Sequence, residues 1–326
     1  MMKENPYEQH GQGRLALFPI TFFSVTLGLG GWAVATQGIE RILPVGNLAS
    51  QVILGLDILV FALVFALYAA KAISHPSAVR REVRHPVTLS FFPAVSIGIL
   101  LMSVAFLNTN TELSFLLWVV GTILHAGLTL YIMREWITQE HFEIGHMNPA
   151  WFIPVVGNLI VPLAGVTHAP ADISWFFFSI GIVMWVVLFT VVTYRMIFHR
   201  VIPERLLPTL FILVAPPAVG FIAYVKLAGG LDAFGRILFF FAVFMFAFLM
   251  TLGARLARIR FFLSWWTYTF PVAALVAACT LMGRLAPSVF FTGMAVVLWV
   301  LLSLFILFLG ARTAISITRR EICVEE

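Results

Sequence analysis

Long stretches without a charged side chain alternate along this chain with short basic or polar connections. The charge-free windows run 15–39, 85–111, 113–133, 144–171, 173–194, 206–225, 237–254, 261–283 and 285–311. Each can supply the roughly 20 apolar residues that an α-helix needs to cross a hydrocarbon core of about 30 Å. The stretch 42–70 completes the set, interrupted only by Asp57. The pattern predicts ten membrane-crossing helices, an even number that returns both termini to one side of the bilayer.

Proline adds a second pattern. Ten of the 16 prolines fall in the odd-numbered spans: Pro19, Pro86, Pro93, Pro149, Pro154, Pro162, Pro208, Pro216, Pro217 and Pro271. Taking Pro19, Pro93, Pro154, Pro216 and Pro271 as one mark per odd span gives spacings of 74, 61, 62 and 55 residues, a five-fold repeat of a helical hairpin. Proline removes a backbone donor and clashes with the preceding turn, so these positions are expected to kink their helices. In a bilayer, irregular backbone is tolerated only where it is buried in protein or faces a water-filled cavity. The five proline-bearing helices therefore belong together around an axis, with the Phe-, Leu- and Val-rich even spans outside them. An inverted five-plus-five repeat, the other common ten-helix plan, would place broken helices only at matching points of two halves. The expected fold is an all-α integral membrane protein, ten transmembrane helices arranged as five hairpins around a central pore.

Composition agrees with this class. The chain of 326 residues is 61% hydrophobic and 11% charged, against about 25% charged residues in soluble domains. Ten spans consume about 200 residues, which leaves no room for a large soluble catalytic domain. Residues 1–14 and 313–326 are expected as terminal segments flanking a transmembrane domain at 15–312. Ala33-Val34-Ala35 has the form of a signal-peptidase site, but the apolar region from Leu15 to Trp32 exceeds the ~7–15 residues of a signal core. The first window is therefore read as a span.

The net charge of +5 comes from 20 basic residues against 15 acidic ones. No basic run exceeds Arg80-Arg81 or Arg319-Arg320, which argues against nucleic acid as a partner. Sixteen of the Lys and Arg residues fall on the side of the termini; Arg41, Lys226, Arg236 and Arg284 fall on the other. By the positive-inside rule the termini and longer loops are expected in the cytoplasm.

The five odd spans hold no Asp, Glu, Lys or Arg, so a pore lined by them has no fixed charge. Cation pathways commonly use carboxylate rings. A charge-free lining suits small inorganic or organic anions that bind weakly, aided by the positive ends of half-helices. Candidate lining groups are Thr21, Ser24, Ser96, Asn158 and Thr267, although a hydroxyl in a helix more often bonds back to its own backbone. Phe270, an aromatic just before a proline on a charge-free helix, is a candidate hydrophobic gate. Asp57 and His125 lie within spans and invite an alternative, a proton-coupled carrier exporting dicarboxylate, sulfite or tellurite-like oxyanions. Their plainer reading is interhelical hydrogen bonding. A structural or sensory membrane subunit would need no pore at all. Cys279 and Cys323 have neither metal-ligand nor disulfide spacing, the Glu140 to His146 loop lacks a helix-defined ligand set, and no nucleotide or triad motif is present. No metal, cofactor or enzymatic activity is expected.

Three strings carry a resemblance: Phe18-Pro19-Ile20-Thr21, Glu82-Val83-Arg84-His85-Pro86-Val87, and Trp265-Trp266-Thr267-Tyr268-Thr269-Phe270-Pro271. They resemble the tellurite-resistance and dicarboxylate transporter family, which includes bacterial TehA-type proteins and plant guard-cell slow anion channels. The likeness implies a homotrimer in the bacterial inner membrane, with a separate pore in each subunit. It also implies a gating phenylalanine on the ninth helix, a position that falls on Phe270. The Gly157-Asn158 pair and Asp57 depart from the family pattern.

Overall fold

A computed structural model describes residues 13–43, 45–319 and 321–322. The twelve α-helices are α1 (Phe23–Ile42), α2 (Leu48–Ser74), α3 (Pro76–Arg84), α4 (Ala94–Phe106), α5 (Thr111–Thr138), α6 (Ile153–His168), α7 (Ala171–Phe198), α8 (Ala215–Ala228), α9 (Ala233–Thr251), α10 (Gly253–Leu256), α11 (Thr269–Leu285) and α12 (Val289–Thr318). No strand occurs among the described residues. Most of the expected 1–14 segment, Arg320 and Cys323 lie outside the described residues, and α12 runs past the expected boundary at 312 to Thr318.

Five α-helices, α1, α4, α6, α8 and α11, are each preceded by a 3-10 segment: Ile20–Phe22, Thr88–Phe91, Pro149–Phe152, Glu204–Val214 and Leu263–Tyr268 respectively. Each is followed by a short turn and a longer helix, α2, α5, α7, α9 or α12, and so forms a hairpin. The inner helices pack in the cyclic order α1, α4, α6, α8, α11 and back to α1, which closes a ring, and each outer helix packs on its own hairpin partner. Burial follows this division. In the most apolar windows of the inner segments that meet the span criteria, 67% to 94% of residues are buried, against 22% to 33% for the outer helices. The outer helices expose Leu, Ile, Val and Phe, as a lipid-facing surface requires.

Nine segments among the described residues are long and apolar enough to cross a membrane. The expected first span is the exception. Its helix α1 has 20 residues, or about 30 Å, but four glycines, Gln37, Glu40 and Arg41 make it the least apolar. Length and ring position match its four inner neighbours; apolarity does not.

The prolines do not kink continuous helices, as the sequence suggested. Pro19 precedes the Ile20–Phe22 turn, Pro93 is the N-cap of α4, and Pro154 and Pro216 fall in the first turn of α6 and α8. Pro271 is the third residue of α11. A first-turn N–H has no partner inside its own α-helix, so proline there sacrifices little and presets the backbone for the helix that follows. Pro93, Pro154, Pro216 and Pro271 mark where 3-10 geometry changes to α, and Pro19 marks where the 3-10 turn begins. Among the described α-helices, Pro162 of α6 stands in an interior.

The first and last hairpins close the ring. Trp32 on α1 donates its indole N–H to Ser303 on α12 at 2.8 Å, and Trp299 on α12 donates back to Thr36 at 2.9 Å. Between α1 and α11 the approach is tighter. A Cβ at Gly28 would stand 2.3 Å from Thr269 Oγ1, and one at Gly31 would stand 3.1 Å from both Phe270 Cδ2 and Ala273 Cβ. Small residues let the two backbones meet, which is how membrane helices gain packing energy when lipid offers no hydrophobic drive. Gly28→Val should therefore destabilise the fold by about 1–3 kcal/mol, read as a lower melting temperature in detergent. Gly310→Val should be silent, because nothing lies within 4 Å of that Cβ position. Equal effects would show that the α1–α11 contact does not hold the ring.

Candidate functional site

At the centre of the ring, where the 3-10 segments become α-helices, lies a cavity of about 30 Å³. All five inner segments contribute to its wall: Ser24 and Leu27 at α1, Phe91 and Ile97 at α4, Ile153 and Val156 at α6, Ile212 and Ala215 at α8, and Trp266, Thr267, Phe270 and Pro271 at α11. No charged side chain lines it. Its size is about that of one water molecule. Five α-helix N-termini converge on this level, so the positive ends of five half-helices surround an otherwise apolar constriction.

Phe270 is half-buried in this wall, and its ring lies against Gly31 of α1. The missing side chain at Gly31 provides the space that the ring occupies. Ser24 and Thr267 also line the cavity, but each hydroxyl donates to a carbonyl three residues back: Ser24 to Thr21 at 2.6 Å and Thr267 to Ser264 at 2.6 Å. Their protons are committed to the backbone, which leaves Phe, Ile, Leu and Val side chains to set the character of the constriction. Sequence reasoning missed Ile97, Ile153, Val156 and Ile212, because the face of an all-apolar helix cannot be read from periodicity.

Ser96 and Asn158 face elsewhere. The Ser96 hydroxyl lies 2.8 Å from the Pro93 carbonyl and 2.9 Å from His125 Nδ1. His125 Nε2 and Thr129 Oγ1 each donate to the Pro154 carbonyl at 3.0 Å, and Asn158 Nδ2 donates to the same oxygen at 2.9 Å. This buried cluster ties α4, α5 and α6 together behind the constriction. It depends on Gly157, where a Cβ would come within 2.0 Å of the His125 ring. The Gly157-Asn158 pair therefore has a local explanation in seating His125.

On the side of the termini a larger vestibule of about 390 Å³ opens, lined by residues that include Pro19, Thr21, His85, Phe91, Arg205 and Ser264. Phe91 borders both spaces. Two of the sequence strings meet in its wall through Lys71, a buried residue that sequence analysis counted only as a topology signal. Lys71 Nζ donates to the Phe18 carbonyl at 2.8 Å and pairs with Glu82 at 3.0 Å, while Tyr68 donates to the other Glu82 oxygen at 2.6 Å. The neighbouring His85 accepts at Nδ1 from the Val87 and Thr88 backbone N–H groups, each at 3.3 Å. Desolvation, and then the positive charges of Arg205 and His146, hold His85 below the ordinary histidine range.

Asp57 is fully buried on α2, and neither of its carboxyl oxygens has a hydrogen-bond partner among the described residues. It faces the backbone of Gly30 on α1, where a Cβ would lie 2.9 Å from its Oδ2. It is therefore between an outer and an inner helix, outside the central cavity. Among the described residues no group of three His, Cys, Asp or Glu side chains could hold a metal ion, and Cys279 is buried and unpaired.

A closed ring of parallel inner helices, a charge-free constriction on its axis and an apolar outer shell define a polytopic integral membrane protein. The chain belongs to the family described as voltage-dependent anion channel, whose match covers residues 17–314. It is 30% identical over 273 residues to the S-type anion channel SLAH2 of Arabidopsis thaliana, covering 81% of this chain and 52% of that protein. An uncharacterized transporter of Methanocaldococcus jannaschii is 26% identical over 299 residues, 84% of this chain and 87% of its own. The tellurite resistance protein TehA homolog of Haemophilus influenzae is 23% identical over 264 residues, 80% of each chain. The chain spans about half the length of the plant relatives it matches.

The His85 environment generates a pH prediction. A histidine held below its unfolded value of 6.5 contributes stability at higher pH that is lost as pH falls below 6.5, because the unfolded chain then binds more protons. An NMR titration of the His85 ring should give a midpoint below 6.5, and the melting temperature should fall with pH less steeply in His85→Gln. A midpoint at or above 6.5 would contradict the arrangement.

Proposed function

We propose that this protein is an anion channel in which small monovalent anions cross the bilayer along the axis of the inner ring, closed in this conformation by Phe270. The observation that carries the reading is the central constriction, contributed by all five inner segments, free of charge and bordered by the Phe270 ring. Family membership supports anions as the transported class. The helix N-termini at that level favour negative charge, while the apolar wall provides no side-chain donor to replace water of hydration. Weakly hydrated nitrate and chloride should therefore pass more readily than sulfate or phosphate. The basic bias of the terminal face supports an orientation with both termini in the cytoplasm of a bacterial-type inner membrane, and the family likeness supports a homotrimer.

Phe270→Ala should raise nitrate and chloride conductance in proteoliposomes at least about ten-fold, the effect of removing roughly 1.4 kcal/mol from a barrier. Gly31→Ala, which crowds the ring at 3.1 Å, should change the open fraction without changing ion preference. Unaltered conductance in a correctly folded Phe270→Ala protein would remove Phe270 as the gate.

The unpartnered Asp57 carboxyl favours a second reading, a carrier that couples oxyanion export to proton movement, since intramembrane acids mark proton paths by default. It predicts anion flux that depends on a proton gradient and disappears in Asp57→Asn. A channel predicts passive flux reversing at the anion equilibrium potential, with Asp57→Asn conducting normally.

A further inference from the structure

The face opposite the termini carries four Lys or Arg residues, Arg41, Lys226, Arg236 and Arg284, and four acids, Glu40, Glu112, Asp172 and Asp232. Their formal charges cancel, so that face has no net attraction for an anion. Most of them are nevertheless divided between the inner and outer helices, the exceptions being Arg236 on α9 and Glu40 on α1. Arg41, Lys226 and Arg284 occupy the last turns of the inner helices α1, α8 and α11. Three of the acids stand at outer-helix N-termini, Glu112 and Asp172 in the first turns of α5 and α7 and Asp232 capping α9 by accepting from Gly235, while Glu40 of α1 is engaged by the Ser50 backbone and hydroxyl of α2.

This sorting acts where an anion meets its least favourable backbone field. All five inner helices point their C-termini at this mouth, and each carries about half a negative charge there. The donors are placed against these ends. Lys226 Nζ donates to the Leu163 carbonyl of α6 at 2.6 Å, and the Gln37 amide on α1 donates to the Ala105 carbonyl of α4 at 2.8 Å. Lys226 is also solvent-accessible. Arg41 lies within electrostatic reach of it, although α1 and α8 are not neighbours in the ring. These two cations therefore stand in separate sectors of the mouth.

We infer that Arg41 and Lys226, with Arg284, form a cationic collar that gathers small inorganic anions at the mouth opposite the termini and speeds their entrance to the ring. The inference rests on the reading that the ring conducts anions. Glutamine is the informative replacement at position 226, because its amide can still donate toward Leu163 while the charge is gone.

The test uses full-length protein in liposomes in the Phe270→Ala background, so that flux through the constriction is measurable. Chloride and nitrate flux is compared for the parent, Arg41→Gln, Lys226→Gln and the double variant at about 20 mM and about 1 M salt. The double variant should lose about three- to ten-fold of the low-salt flux, and the loss should vanish at high salt, where screening shortens to about 3 Å. A second measurement follows the sign of the charge: Arg41→Cys modified with an aminoethyl thiosulfonate should regain flux, and with a sulfonatoethyl reagent should lose more. Equal flux in all variants, or loss that ignores salt and reagent charge, overturns the collar while leaving conduction intact. Absence of anion flux in the Phe270→Ala parent itself overturns the conduction reading, and the collar with it.

Discussion

The structure depends on one constraint of the bilayer: every backbone N–H and C=O at membrane depth must be satisfied by protein or by water inside a cavity. Five segments of this chain change from 3-10 to α geometry partway across, each beside a proline that can donate nothing. Such a junction cannot face lipid. It can be accommodated at the centre of a ring, behind a shell of regular helices whose bonds are complete. The hairpin plan, the low burial of the outer helices and the coincidence of the junctions with the central cavity follow from that requirement.

The same constraint explains the division of chemical labour. Hydroxyls near the axis are drawn into the junction backbone, as Ser24, Thr267 and Thr269 each donate to a carbonyl three residues earlier. The stronger polar groups lie one layer out, where His125, Thr129 and Asn158 converge on the Pro154 carbonyl. The axis is left apolar, and helix dipoles rather than side-chain ligands supply its electrostatics. A solute crossing it meets an orienting field with few donors to hold it in place.

Much of this was legible in the sequence because it is periodic. Charge-free windows marked the helices, and recurring prolines marked the five that belong together; residues as far apart as Pro154 and Pro271 fall in the first turns of inner helices. The effect of those prolines was not legible, since the same residue kinks a helix interior or opens a first turn, and the choice depends on a 3-10 segment without a sequence signature. Ser96 and Asn158 were indistinguishable from Ser24 and Thr267 for a related reason: every face of an inner helix is buried, so no amphipathic stripe shows which residues look inward. Lys71 read as a loop charge because its carbonyl partner at Phe18 is 53 positions away.

The seam of the ring also bears on how the molecule is made. Its helix α1 is the least apolar of the inner set and emerges from the ribosome before the other four, yet α11 and α12, which cover its glycine face and bond its tryptophan, come after all of them. Trp32 waits 271 positions for Ser303. Until the fifth hairpin arrives, Gly28, Gly31 and the Trp32 indole have no native neighbour on that side, and closure is a long-range step that cannot begin before that hairpin has been made. Closure of the ring therefore returns to the first of the inner helices, with its least apolar member held open as the keystone position.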